Sequence, residues 1–248
     1  MERVDRSAIA TLFSSEPMVA GRSVSLGAEE AHHARVRRVD VGARVRIVDG
    51  LGSVALGTLV RLAKGQATAD VDTISLHEAP AVIHFLVPVA DRDRMLWLAE
   101  KGVELGITSW RPVIWHRSRS VSPRGEGAGF QAKVRTRMVA ALKQCGGSWL
   151  PVLHPDASVD RAIAAAGTSR GYLLDAAGPP ILSRKFSAPI VVALGPEGGM
   201  ETDERSAFVN AGFEPVSLAE HTLRFETAGI AALAILRAAL SVLGDHNE

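Results

Sequence analysis

The chain has 248 residues, 47% of them hydrophobic and 22% charged, with a formal net charge of +1, which is ample material for one large or two small cored domains. Its single cysteine, Cys145, excludes an internal disulfide, cannot alone build a metal site, and reads as a small buried residue. No apolar stretch reaches bilayer length, because Arg237 interrupts the nearest candidate, and Met1 to Arg6 carries acids without a signal-peptide core, so a soluble cytoplasmic protein is expected, off the membrane and without metal.

Residues 20–78 read as short strands at Ser23 to Leu26, Arg44 to Val48, Ser53 to Leu62 and Ala67 to Leu76, separated by glycine-containing turns. Strands of this length and spacing predict a small β-barrel. Ala28 to Val39 breaks the pattern as one helix. From His32 to Arg46 five arginines face one acid, Asp40, and a second basic stretch runs from His116 to Arg124. Both suit a phosphate backbone, and both also suit a solvated basic face. Arg35, Arg37 and Arg38 cannot share one helix face, so only two of them can meet phosphate together. Ala79-Pro80 marks a boundary between residues 1–78 and 79–248, since proline neither continues a helix nor donates to a ladder.

Beyond residue 80 strands alternate with helices. Strands are predicted at Val82 to Val89, Trp110 to Trp115, Gly171 to Leu174, Ile190 to Leu194 and Glu214 to Leu218. Helices are predicted at Arg92 to Leu105, Phe130 to Gln144, Val159 to Ala166, Glu201 to Asn210 and Thr227 to Leu243. This alternation predicts an open, mostly parallel α/β sheet, with ligand at the carboxyl ends of the strands. The last helix leaves almost no polar face, so it is expected to be buried all round, within one domain or at a subunit interface.

One such strand ends in Leu194-Gly195-Pro196-Glu197-Gly198-Gly199 and leads into a helix, an arrangement that offers backbone N–H groups to a ligand. No Lys-Ser/Thr pair follows the glycines, so the loop is not a Walker loop, and the glycine spacing is not that of a dinucleotide fingerprint. Leu223-Arg224-Phe225-Glu226-Thr227-Ala228-Gly229 then runs into the last helix.

These two segments, in this order, resemble the SPOUT methyltransferases, and most closely the RsmE-type family that methylates a uridine base in small-subunit ribosomal RNA. Glu100 to Gly106 is similar to that family's K-x-x-E-L-G segment, and Arg117-Ser118 to its R-S. Gln144 and Pro151 fit its Q…P pattern. His32-His33…Arg37 with Val41-Gly42 fits its PUA-like RNA-binding domain. The chain departs from the pattern at Lys143, usually Glu, at Gly147, usually Arg, at Phe225, commonly Thr, and in lacking Trp after Arg135. No amino-terminal R-x-F strand is recognisable. The resemblance implies a PUA-like barrel followed by a SPOUT α/β domain with a trefoil knot. It also implies a homodimer, a ribosomal RNA substrate, and S-adenosyl-L-methionine as cofactor. The implied cofactor residues are Leu173, Leu174, Leu194, Gly195, Glu197, Gly199, Leu218, Leu223 and Thr227, with Arg35, Arg37, Arg38 and Arg117 on the RNA.

Neutral uracil has a proton on N3, so methylation there needs that proton removed or the developing uracilate held by positive charge. Arg224 is the candidate for the charge. Glu226 is the candidate proton acceptor, or a residue orienting Arg224, or simply a first-turn acid favourable to the helix dipole. A ribose 2′-O-methyltransferase of the same fold and a non-catalytic RNA-binding module are the competing readings, and intact glycines at 195, 198 and 199 argue against the second.

Overall fold

A computed structural model describes residues 9–120, 124–167 and 169–244, without the side chains of 119–120 and 242–244. The amino-terminal residues 1–8, and 121–123 of the second basic stretch, lie outside the described residues. The chain divides into two compact units, residues 1–79 with 139–150, and residues 80–138 with 151–248.

In the first unit the strands are β1 (Ala10–Phe13), β2 (Ser23–Leu26), β3 (Arg44–Val48), β4 (Ser53–Leu62) and β5 (Ala67–Leu76), with helix α1 (Ala28–Val36). They form one sheet in the order β1-β3-β4-β5-β2, antiparallel except for β1 against β3. Register shifts between β4 and β5 at Leu56/Gly57 and Leu59/Arg61 add twist. The expected barrel is therefore a curled sheet with β1 and β2 as its edges. Strand β1 escaped the sequence reading because its four residues bury Leu12 and Phe13 consecutively, without alternation. Helix α1 stops at Val36, three residues before its expected end. Arg38 reverses the chain at φ 54°, letting the Val39 N–H close on the Ala34 carbonyl. Apolar residues of α1 (Ala31, Ala34) and the strands (Leu12, Leu26, Ile47, Leu59) make the core.

A buried charge pair crosses this unit. Glu30 accepts the Phe13 N–H at 3.0 Å and the Lys143 ammonium at 2.7 Å, with both charged side chains about nine-tenths buried. Arg46 donates to the carbonyls of Gly146 and Gly147 at 3.0 and 3.1 Å. The departures at Lys143 and Gly147 are thus absorbed inside the unit.

In the second unit the strands are β6 (Ile83–Pro88), β7 (Ser109–Ile114), β8 (Val152–Leu153), β9 (Ala157–Ser158), β10 (Arg170–Leu174), β11 (Ile190–Leu194) and β12 (Glu214–Val216). The helices are α2 (Arg92–Glu104), α3 (Ala128–Cys145), whose end belongs to the first unit, α4 (Val159–Ala166), α5 (Thr202–Asn210) and α6 (Phe225–Gly244). The sheet is parallel throughout, in the order β12-β10-β11-β6-β7-β8, with β9 also on β7. Alternation along the strands sends Phe85, Trp110 and Leu194 toward α2 and α6, and Leu86, Val113, Leu173, Val191 and Ala193 toward α4 and α5. His116–Ser120, expected as loop, is a 3-10 turn.

One expectation fails here. Cys145 is exposed, because the buried stripe of α3 (Val134, Met138, Ala141, Leu142) runs out before the helix's final residue. Helix α6 is buried along Phe225, Gly229, Ala232, Leu233, Leu236 and Leu240, but within this chain it leaves Thr227, Ala234, Ala238 and Ser241 exposed. Its one cation, Arg237, turns inward and donates to the carbonyls of Ala81, Leu105 and Gly106, supplying donors to the carboxyl end of α2. Among the described residues no helix is long and apolar enough to cross a membrane.

Candidate active site

The loops that follow β10, β11 and β12 meet at the carboxyl ends of those strands and enclose a cleft of about 320 Å3. They are tied by backbone hydrogen bonds of 2.9 Å from Asp175 N to Val216 O, from Ser217 N to Pro179 O and from Ile181 N to Ser217 O. Leu174, Leu194, Val216, Leu218, Leu223 and Phe225 give the cleft apolar walls. Gly195, Glu197 and Gly199 contribute the glycine loop. Gly199 holds φ 78°, a left-handed conformation that a β-branched residue resists. One charged pair stands in the wall, Arg205 Nε at 2.6 Å from Asp175 Oδ2.

The glycine loop is held from outside. Arg117 donates through Nη1 to the Gly198 carbonyl at 2.6 Å and through Nε to Glu201 at 2.8 Å. The buried carboxylate of Glu204 accepts the His116 N–H at 2.7 Å and the Glu201 N–H at 2.9 Å, so the first turn of α5 anchors the 116–118 turn and the loop together. On the other side Asp91 caps α2 by accepting the Asp93 and Arg94 N–H groups. This places the Arg94 guanidinium in an ion pair with Glu197 and, at 3.8 Å, beside Glu226.

Glu226 is buried, and among the described residues its Oε2 has no hydrogen-bond partner. It opens on a shallow depression shared with Asp93, Arg94, Trp97 and Thr227, in which Trp97 is 46% exposed. An unsatisfied buried carboxylate oxygen is costly unless something it awaits completes it. The arrangement can accept a proton next to a fixed guanidinium.

Most of the cofactor residues expected from the sequence come together in the cleft: Leu174, Leu194, Gly195, Glu197, Gly199, Leu218 and Leu223. Leu173 does not, because alternation points it into the core on the α4 and α5 side. Thr227 lies on the first turn of α6 and lines the depression instead. Arg224 is exposed, and among the described residues its guanidinium makes no ion pair. Glu226 does not orient Arg224. Its cationic neighbour is Arg94, since residues two apart at a helix start face different ways. Arg35 donates to the Ala63 and Lys64 carbonyls at 2.7 and 2.9 Å, while Arg37 and Arg38 end α1 on its exposed side. Arg94 and Arg205 were missed. Arg94 lies 103 residues from its partner Glu197, and no local pattern marks that pairing. Among the described residues no cluster of His, Cys, Asp and Glu could hold a metal.

A family model described as an RNA methyltransferase domain matches residues 77–237, and one described as an RNA methyltransferase PUA domain matches residues 26–72. Ribosomal RNA small subunit methyltransferase E of Synechocystis is 28% identical over 238 residues, covering 88% of this chain and 74% of that one. The protein of the same name from Treponema pallidum is 27% identical over 243 residues, covering 92% and 90%. The crystal structure of the Neisseria gonorrhoeae enzyme of that name, bound to S-adenosyl methionine, superposes with a TM-score of 0.85 at 27% identity, covering 94% of this chain and 98% of that one. With its parallel sheet, its cleft at the strand ends and a match over most of its length, this chain belongs to the RNA methyltransferase family.

Proposed function

We propose that the chain methylates N3 of a uridine in small-subunit ribosomal RNA, using S-adenosylmethionine and acting as a homodimer. The observation that carries the reading is the juxtaposition of the cleft with the unsatisfied, buried carboxylate of Glu226, the two joined through Glu197 and Arg94. The cleft suits such a cofactor. Its leucine-rich walls match a purine, and the Asp175–Arg205 pair offers opposite charges to an amino-acid zwitterion. When bound, the cofactor supplies a sulfonium methyl as the electrophile.

The protein's share is protonic and electrostatic. Glu226 takes the N3 proton as the N–CH3 bond forms and the S–CH3 bond breaks, leaving a neutral thioether. Arg94 keeps Glu226 aimed, and Glu197 anchors Arg94 to the cofactor loop. Arg224, unpaired and two residues before Glu226, is placed to meet the charge developing on a uracil oxygen. The exposed alanine face of α6, with Trp97 nearby on α2, supports the homodimer, and the loop ties between β10 and β12 are in keeping with a trefoil knot.

Calorimetry with S-adenosylhomocysteine, followed by mass mapping of small-subunit ribosomal RNA after incubation with enzyme and cofactor, tests the proposal. Binding together with one new methyl on a uridine base is expected. Absence of cofactor binding would return the chain to a non-catalytic role. Arg224→Ala should slow transfer by on the order of a hundredfold or more with RNA affinity nearly intact. Glu226→Gln should slow it in a way that recovers partly at high pH, and near-normal turnover of that variant at neutral pH would remove Glu226 as the base.

A further inference from the structure

A second polar cluster lies on the sheet, away from the cleft. His84 on β6 and Ser109 on β7 are register partners, and His84 Nδ1 stands 2.8 Å from Ser109 Oγ. Arg111, two residues along β7, points to the same face. The pairing of Ser109 with Val152 and Trp110 with Leu153, continued by the His154 N–H on the Trp110 carbonyl at 2.9 Å, sets His154 beside Arg111. Three basic side chains and a hydroxyl thus share one patch toward the amino-terminal ends of β6 and β7, with His154 just past β8. The cofactor cleft sits at the carboxyl ends of β10, β11 and β12, about 10–15 Å along the strand direction.

Among the described residues, this patch lacks the anions that normally accompany such cations. Arg111, half-buried, has no hydrogen bond or ion pair among the described residues. Helix α4 turns Val159, Ala162, Ile163 and Ala166 to this face, none of them charged, and β11 contributes Val191. The nearest carboxylate in sequence, Asp156, is taken up by the Gly127 N–H and the Gln131 amide. Burial and the Arg111 charge hold both imidazoles below their ordinary pKa, and no acid opposes them. A guanidinium flanked by two imidazoles and a hydroxyl presents convergent donors, the chemistry that holds a phosphate group.

We propose that Arg111, His84, His154 and Ser109 form a phosphate-binding site, separate from the cofactor cleft, for an RNA backbone phosphate or a free phosphate ion. A bound phosphate replaces the missing counter-charge, and each imidazole then favours its cationic, two-donor form.

The test follows the imidazole resonances of the full chain by NMR while inorganic phosphate, and separately a short single-stranded RNA, is added. The rings of His84 and His154 are expected to shift together and saturably, with their titration midpoints moving up by half a pH unit or more. His33, in the other unit, should stay where it is. Saturation by RNA at concentrations a hundredfold below those needed for phosphate identifies a backbone phosphate as the ligand. Saturation by phosphate alone identifies the free ion. Arg111→Gln should abolish the shifts while S-adenosylhomocysteine binds normally, and His154→Gln should weaken them at least fivefold should the first variant fold poorly. No coordinated shift with either probe, or shifts that persist in Arg111→Gln, would overturn the proposal. Because cofactor binding is read separately, this failure is distinct from failure of the methyltransferase reading.

Discussion

Gly178→Ala tests whether the cleft depends on how closely its loops approach one another. Gly178 sits in the loop after β10, and a Cβ there would lie 2.6 Å from Val216 N, 2.7 Å from Pro215 C and 2.8 Å from Pro215 O. All three are backbone atoms of β12, so no side chain can swing aside. Restoring ordinary contact at 3.4 Å requires the two segments to part by about 0.8 Å. That movement takes the 2.9 Å bonds from Asp175 N to Val216 O and from Ser217 N to Pro179 O beyond hydrogen-bonding distance. Two backbone bonds at about 0.5–1.5 kcal/mol each give a loss of about 1–3 kcal/mol. Since Asp175, Val216 and Ser217 all line the cleft, the same displacement should lower cofactor affinity about ten- to a hundredfold. Calorimetry with S-adenosylhomocysteine measures the affinity, and circular dichroism checks that the variant is folded. Gly65→Ala, which meets nothing within 4 Å, is the control. Unchanged affinity in Gly178→Ala would refute the claim that this contact shapes the cleft.

In the first unit, Lys143→Met should cost about 3–5 kcal/mol, because Glu30 would keep a buried charge with only the Phe13 N–H for company. Urea unfolding followed through Trp149, which lies in that unit, measures it, and adding Glu30→Gln should restore most of the loss. A loss below about 1 kcal/mol for the single variant would mean the pair is solvated. Stability should also fall on the acid side. Burial depresses the pKa of His33, His84 and His154 in the folded state, so below about 6.5 the unfolded chain binds more protons than the native one. The stability is fully present above that pH and is lost as pH falls through the depressed values. Urea midpoints measured between pH 7.5 and 5 should therefore decline, and His84→Gln with His154→Gln should flatten the slope.

Much of the second unit was legible in the sequence because its signals are local. Buried parallel strands such as Ile190–Leu194 read as unbroken apolar runs, and the glycine loop after it announces a ligand at the strand's end. Strand β1 was illegible for the opposite reason, since its two consecutive buried residues make sense only against β3 and α1. The extent of α1 was overread because nothing local announces that Arg38 will adopt a left-handed turn.

The sequence by itself determined the two-part α/β organisation, the family, and the three loop segments that line the cleft, because each is written in periodicity, turn chemistry or contiguous motif. Tertiary structure alone decided how charges are partnered. Lys143 neutralises Glu30 across 113 residues, and Arg94 reaches Glu197 across 103. Arg117, basic and exposed on the page of the sequence, straps the glycine loop. A charged side chain acts over a few ångströms of space and not over positions in the chain, so its role is settled only when the fold brings its counter-charge near.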